Sequence, residues 1–158
     1  MLDHLDRKIL SLLQQDGRMA NKEVAANVGL VPSATSERLK KLRERGYIRS
    51  IEARLDPARV DFALLAFVFV RTSEPTSGSE TGHVLARIPE VQEVFNIAGE
   101  DCYLIKVRTR DAKSLSQLLR EKVGRIPAVV ATRTTIVLES YKETCALPIA
   151  ENGRPGQA

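Results

Sequence analysis

With 158 residues, 43% of them hydrophobic and 28% charged, the chain has the composition of a folded globular protein, outside the low-hydrophobicity regime of disorder, and has room for one ordinary domain or two small ones. Met1–Leu13 lacks a long apolar stretch, and the longest apolar run, Ala63–Val70, is far shorter than the ~20 residues a membrane span needs, so a cytoplasmic protein with no membrane partner is expected. Two cysteines, Cys102 and Cys145, exclude a disulfide framework, and the net charge of +4 is modest.

Leu2, Leu5, Ile9, Leu12 and Leu13 recur at helical spacing. Asp3 stands where a cap belongs, Asp6 follows near the positive end of the helix dipole, and Gly17 ends the helix. A second, shorter helix begins at Asn21, itself a good cap residue, buries Val24, Ala25 and Val28, and stops at Gly29. Pro32 suits the first position of a third helix, whose apolar residues are Leu39 and Leu42 and whose end is Gly46.

Two helices joined by a tight glycine-containing turn, the second rich in polar and basic residues, form a helix-turn-helix pattern from Asn21 to about Lys41. Between Ser33 and Arg49 six basic residues, Arg38, Lys40, Lys41, Arg43, Arg45 and Arg49, stand against Glu37 and Glu44. In such units the start of the second helix meets base edges, which nominates Ser33, Ala34, Ser36 and Glu37, with Arg38, Lys40 and Lys41 reaching bases or phosphates of double-stranded DNA. Tyr47–Leu55 alternates apolar and polar residues and reads as a strand or wing, from which Arg49 reaches the DNA backbone. For any one of these cations a solvated helix face is the simpler reading, and only the combination points to DNA.

Asp56-Pro57 breaks the pattern, and residues 56–61 read as a linker. From Phe62 onward the order is strand Leu64–Arg71, helix Gly82–Ile88, strands Val91–Ala98 and Asp101–Val107, helix Ala112–Val123 and strand Val129–Leu138. This βαββαβ order gives a ferredoxin-like sandwich, so the fold class is α+β. Leu64–Val70 is apolar on both faces while the helices cover only one, which predicts a second copy on the open face and a symmetric homodimer. In the loop Ala98–Tyr103, Asp101 or Glu100 suits a ligand ammonium group and Gly99 permits close backbone approach, although spacing alone favours a simple hairpin turn with an acidic surface.

The sequence resembles the Lrp/AsnC family, the leucine- and asparagine-responsive or feast/famine regulators, over about residues 2–149. Leu5-Asp6-Arg7-Lys8-Ile9-Leu10, Asp16-Gly17-Arg18, Val28-Gly29-Leu30, Glu37-Arg38-Leu39-Lys40-Lys41-Leu42 and Gly46-Tyr47-Ile48 carry the resemblance. It implies a transcriptional regulator whose assembly or DNA binding responds to a small-molecule effector, an amino acid, with dimers assembling further, often to octamers. It also implies that the Gly99–Tyr103 loop (Gly99, Glu100, Asp101, Cys102, Tyr103), with Thr134 and Thr135 of the last strand, lines an effector pocket between dimers. Two departures stand out: Val31 occupies the position of the family's capping serine, leaving Ser33 to cap instead, and the loop's usual aspartate falls on Cys102, its carboxylate displaced to Asp101.

Residues 1–55 thus read as the winged helix-turn-helix domain, 56–61 as a linker, 62–143 as the ligand-sensing and oligomerisation domain, and 144–158 as a tail, disordered beyond Ile149. His4 and His83 are far apart, and neither a metal-ligand cluster, a phosphate loop nor a nucleophile with a histidine partner is visible, so no metal, cofactor or catalysis is expected. The alternative reading is a ligand-independent architectural protein that binds and bends DNA through its phosphates.

Overall fold

The carboxylate of Asp3 accepts the Asp6 amide at 2.7 Å while that of Asp6 accepts the Asp3 amide at 3.2 Å, a reciprocal capping box that starts helix α1 (His4–Gln15). Helix α2 (Asn21–Val28) follows, and Gly29 closes it with a φ of 72°, a left-handed turn that a side chain would strain. Pro32 opens helix α3 (Pro32–Glu44). Ile9, Leu10, Val24, Val28 and Leu42 form the buried core where these three helices meet.

The computed structural model describes residues 1–73 and 80–149, so the disorder expected beyond Ile149 concerns residues outside it. The chain divides into two units, Met1–Arg54 with the chain from Glu143 onward, and Leu55–Lys142. The second unit begins with a 3-10 turn at Ala58–Val60 and then alternates strands and helices. Strands β1 (Leu64–Thr72), β2 (Val91–Asn96), β3 (Tyr103–Thr109) and β4 (Val129–Ile136) form one antiparallel sheet in the order β2-β3-β1-β4. Helices α4 (Glu80–Leu85) and α5 (Ala112–Glu121) complete the βαββαβ sequence.

Alternation along β1 settles which face is covered. Ala66, Val68 and Val70 are fully buried with Ile105 and Val107 of β3 and with Leu85, Leu115 and Leu118 of the two helices. Phe67 and Phe69 point the other way, beside Lys106 and Leu104, where Phe95 is 46% exposed. The two-faced apolar strand therefore has one face in the core and one open in the single chain.

Three local expectations are corrected. Residues 47–55 contain no strand. A strand needs a partner backbone, and here Ile48 packs against the helical core and Ile51 lies against Gly17, where a Cβ would stand 2.9 Å from the Ile51 Cγ2, while Tyr47 and Leu55 are exposed. Asn21 does not cap α2: the cap residue is Ala20, whose amide donates to the Glu23 carboxylate at 3.3 Å, and Asn21 is the first helical residue. Nor does Ser33 cap α3, because the cap position is held by Val31 and Pro32 already occupies the first turn.

Candidate nucleic-acid interface and ligand loop

The outer surface of α3 is fixed by what its other side buries. Thr35 and Leu42 face the core with Leu39 beside them, which leaves Ser33, Ser36, Glu37, Lys40 and Lys41 exposed and Ala34 half-buried. Arg49, in the irregular segment after α3, is also exposed. The charges on this surface are paired along the helix, Lys41 with Glu37 at 2.7 Å and Lys40 with Glu44 at 3.8 Å. Lys41 holds the Glu37 carboxyl below its ordinary range, so Glu37 stays ionised.

Arg38 and Ser36 face neighbours in the protein. The Arg38 Nη1 donates to Asp3 and to Asp6, each at 2.7 Å, and its side chain is 32% exposed. The capping carboxylates of α1 thereby hold the recognition helix as well. The Asp6 amide and then the Arg38 guanidinium lower the Asp3 carboxyl, and both carboxylates raise the Arg38 guanidinium. On the opposite flank the Asn21 Nδ2 donates to the Pro32 carbonyl at 2.9 Å and to the Ser36 hydroxyl at 2.8 Å, tying the start of α2 to the start of α3 across the turn. The Asn21 Oδ1 is buried with no partner.

In the second unit the loop between β2 and β3 turns at Gly99 with a φ of 136°, with open space where a Cβ would stand. The Cys102 amide donates to the Val70 carbonyl at 2.9 Å and the Ile97 amide to the Cys102 carbonyl at 3.0 Å, fixing both loop and strand end. Glu100 is exposed, whereas Asp101 is paired with Arg133 of β4 at 2.9 Å. Arg133 also lies over the Phe69 ring, 3.9 Å from its centroid, on the open sheet face.

The structure does not gather the loop and strand residues into one cluster. Tyr103 is buried on the helix side, where a Cβ on Gly82 would stand 2.9 Å from its ring. Thr134 pairs with Val68 on that same side, half-buried, while Thr135 pairs with Phe67 on the open side and is exposed.

Residues 65–147 match the Lrp/AsnC ligand binding domain family and residues 2–49 the winged helix-turn-helix DNA-binding family. The HTH-type transcriptional regulator FL11 of Pyrococcus horikoshii is 38% identical over 148 residues, 94% of this chain and 97% of that protein. The chain belongs to the Lrp/AsnC family. The leucine-responsive regulatory protein of Escherichia coli is 36% identical over 94% of this chain and 92% of its own. Among solved structures, a transcriptional regulator of Neisseria meningitidis in complex with L-methionine matches with a TM-score of 0.87 at 32% identity, covering 94% of this chain and 97% of that one. The feast or famine regulatory protein of M. tuberculosis, also complexed with L-methionine, matches with a TM-score of 0.87 over 95% and 100% of the two chains. As a member of the family, this chain is a transcriptional regulator with a helix-turn-helix DNA-binding unit and a ligand-binding domain of α+β fold.

Sequence reasoning missed the groups that aim the recognition helix, although one signal for them was present. Arg38 lies three residues after Thr35 and four before Leu42, on the flank of the buried stripe rather than the outer surface, with two carboxylates at the start of α1 to receive it. For Asn21, a cap-forming residue type concealed a cross-turn role. No helix among the described residues is long and apolar enough to cross a membrane.

Proposed function

We propose that this regulator binds its operator as a homodimer and that a free amino acid, bound at the β2–β3 loop and β4, changes its assembly or its DNA affinity. The observation that carries the reading is the Asp101–Arg133 pair at 2.9 Å, which fastens the glycine loop to the last strand. An amino acid presents an ammonium and a carboxylate a few ångströms apart, the same charge pattern in reverse, so it can exchange partners with this pair while Gly99 leaves room for its approach. The relatives solved with L-methionine support this ligand class.

DNA contacts are assigned to Ser33, Ala34, Ser36 and Glu37 at the start of α3, to Lys40 and Lys41 along it, and to Arg49 after it. Arg38 acts from within, holding the helix. The open face carrying Phe67, Phe69 and Phe95 favours a second copy, because apolar area of this kind is stabilised by burial and two copies present two recognition helices to two half-sites. Residues 1–55 serve DNA and 62–143 ligand and partner, and dimers associate further into assemblies such as octamers.

The test is operator affinity for DNA from the gene's own upstream region and for random DNA, with and without L-methionine and each other amino acid. A several-fold change with one amino acid supports the reading, and indifference to all of them makes the chain a ligand-independent architectural protein. Sedimentation showing only monomer at micromolar concentration overturns the dimer.

A further inference from the structure

The chain after β4 returns to the DNA-binding unit. The Gln14 side chain meets the backbone of Leu147 in both directions: its amide nitrogen, Nε2, donates to the Leu147 carbonyl at 3.0 Å, and its Oε1 accepts the Leu147 amide at 2.7 Å. Two residues later Ile149 packs against the core formed by Ile9, Leu10, Val24, Val28 and Leu42. A side-chain amide that presents donor and acceptor side by side imitates one rung of a β-ladder, so a single glutamine holds the backbone at Leu147 without a second strand.

We propose that residues 143–149 are a releasable strap that couples the ligand-binding unit to the recognition helix through α1. Three observations carry this. The units are joined twice by the chain, once between Arg54 and Leu55 and again between Lys142 and Glu143, so the docked strap closes a loop that a single linker leaves open. The strap is the next segment but one after β4, following residues 137–142, and Arg133 of β4 holds the ligand loop through Asp101. It ends on the helix whose other end holds the recognition helix, since α1 takes the strap at Gln14 and Arg38 at Asp3 and Asp6. The hold buries little area: Leu147 is 70% exposed and Ile149 only half-buried, so little burial opposes the ordering entropy of the segment. The role in signalling rests on the amino-acid reading above, whereas the coupling of the units does not.

Gln14→Glu keeps the length, the acceptor and the helix preference but removes the donor and sets a carboxylate against the Leu147 carbonyl. Truncation after Lys142 removes the strap, and truncation after Ile149 leaves it. Hydrogen exchange of the full-length protein should show the Leu147 amide protected in the wild type and exchanging roughly ten-fold faster in Q14E, with the Val24 and Leu42 amides unchanged. Calorimetry should show one joint unfolding transition in the wild type and in the chain ending at Ile149, but two in Q14E and in the chain ending at Lys142. With L-methionine as the probe, the wild-type change in operator affinity should fall towards none in Q14E. A Leu147 amide that exchanges at the free-peptide rate in the wild type, or a single transition in all four proteins, overturns the coupling. A wild type indifferent to every amino acid overturns the ligand reading alone, and the exchange and unfolding results then still decide whether the strap couples the units.

Discussion

Replacing Arg38 by Met removes the guanidinium that ties α3 to the start of α1 while keeping an unbranched side chain to fill its space. Asp6 is 15% exposed at its side chain and loses a charge-assisted bond, an interaction contributing about 1.5–3 kcal/mol. Asp3, at 46%, sits nearer the exposed limit, where a pair contributes about 0.2–1 kcal/mol. R38M should therefore lower stability by about 2 kcal/mol in urea denaturation. The decisive assay is DNA binding across a salt series, on operator and on random DNA. An anchoring residue predicts that R38M loses operator affinity ten-fold or more with the salt slope unchanged, that D3N/D6N does the same from the other side of the contact, and that the triple variant is no worse than R38M. Asparagine at position 3 still caps α1, so helix loss does not confound the result. A salt slope reduced by about one in R38M, with D3N/D6N binding like the wild type, would refute the reasoning and make Arg38 a phosphate contact.

The same site sets an acid limit: the Asp6 amide and then Arg38 hold the Asp3 carboxyl below its ordinary value, so its stabilisation is fully present above about pH 4 and is lost as pH falls through the depressed value. The difference in thermal midpoint between wild type and R38M should thus narrow as pH falls from about 4 through the depressed value, and a difference that stays constant on acidification contradicts the assignment. Asn21→Ala removes two cross-turn bonds and one unpartnered buried oxygen, so its stability cost should be small, about 1 kcal/mol, while the ratio of operator to random-DNA affinity falls several-fold. Gly82→Ala places a Cβ 2.9 Å from the Tyr103 ring, so urea denaturation should show about 1–3 kcal/mol of destabilisation.

Most of the fold was legible because its signals are local. Asp3, Gly29 and Pro32 act through their own backbone positions, and the alternation in Leu64–Val70 reports the sheet it enters. What stayed hidden depends on partners distant in sequence. The alternating stretch 47–55 has the pattern of a strand, but pairing is a property of two segments, and Gly17 admits Ile51 without one. Arg38 read as a DNA contact because it lies among residues that are exposed, and only the helix faces show its bonds to the α1 carboxylates, as they show the bond from Asn21 to Ser36. Asp101 read as a free carboxylate because its partner, Arg133, comes 32 residues later. Gln14 gave no signal at all, since its partner is a backbone group 133 residues away.

The electrostatics of the recognition surface explain why so much of the structure serves to aim it. Lys40 and Lys41 each share their helix with a glutamate one turn away, Arg38 is committed to two aspartates, and the whole chain carries a net charge of only +4. Phosphate attraction is the part of DNA affinity that needs no particular orientation, and here it is partly neutralised within the protein. On the contacts proposed above, selectivity comes from the fit of Ser33, Ala34, Ser36 and Glu37 to base edges, which tolerates little tilt of α3. Arg38 on one flank and Asn21 on the other restrict that tilt, and both act on the first two turns of the helix, where the residues proposed to read bases stand. A weak but well-aimed half-site reader gains most from being doubled, because a second linked site multiplies specific affinity without adding non-specific charge to either unit. The modest charge of α3 and the open aromatic face of the sheet thus favour the proposed dimer, in which pairing of the ligand-binding units would supply affinity beyond that of a single DNA-binding unit.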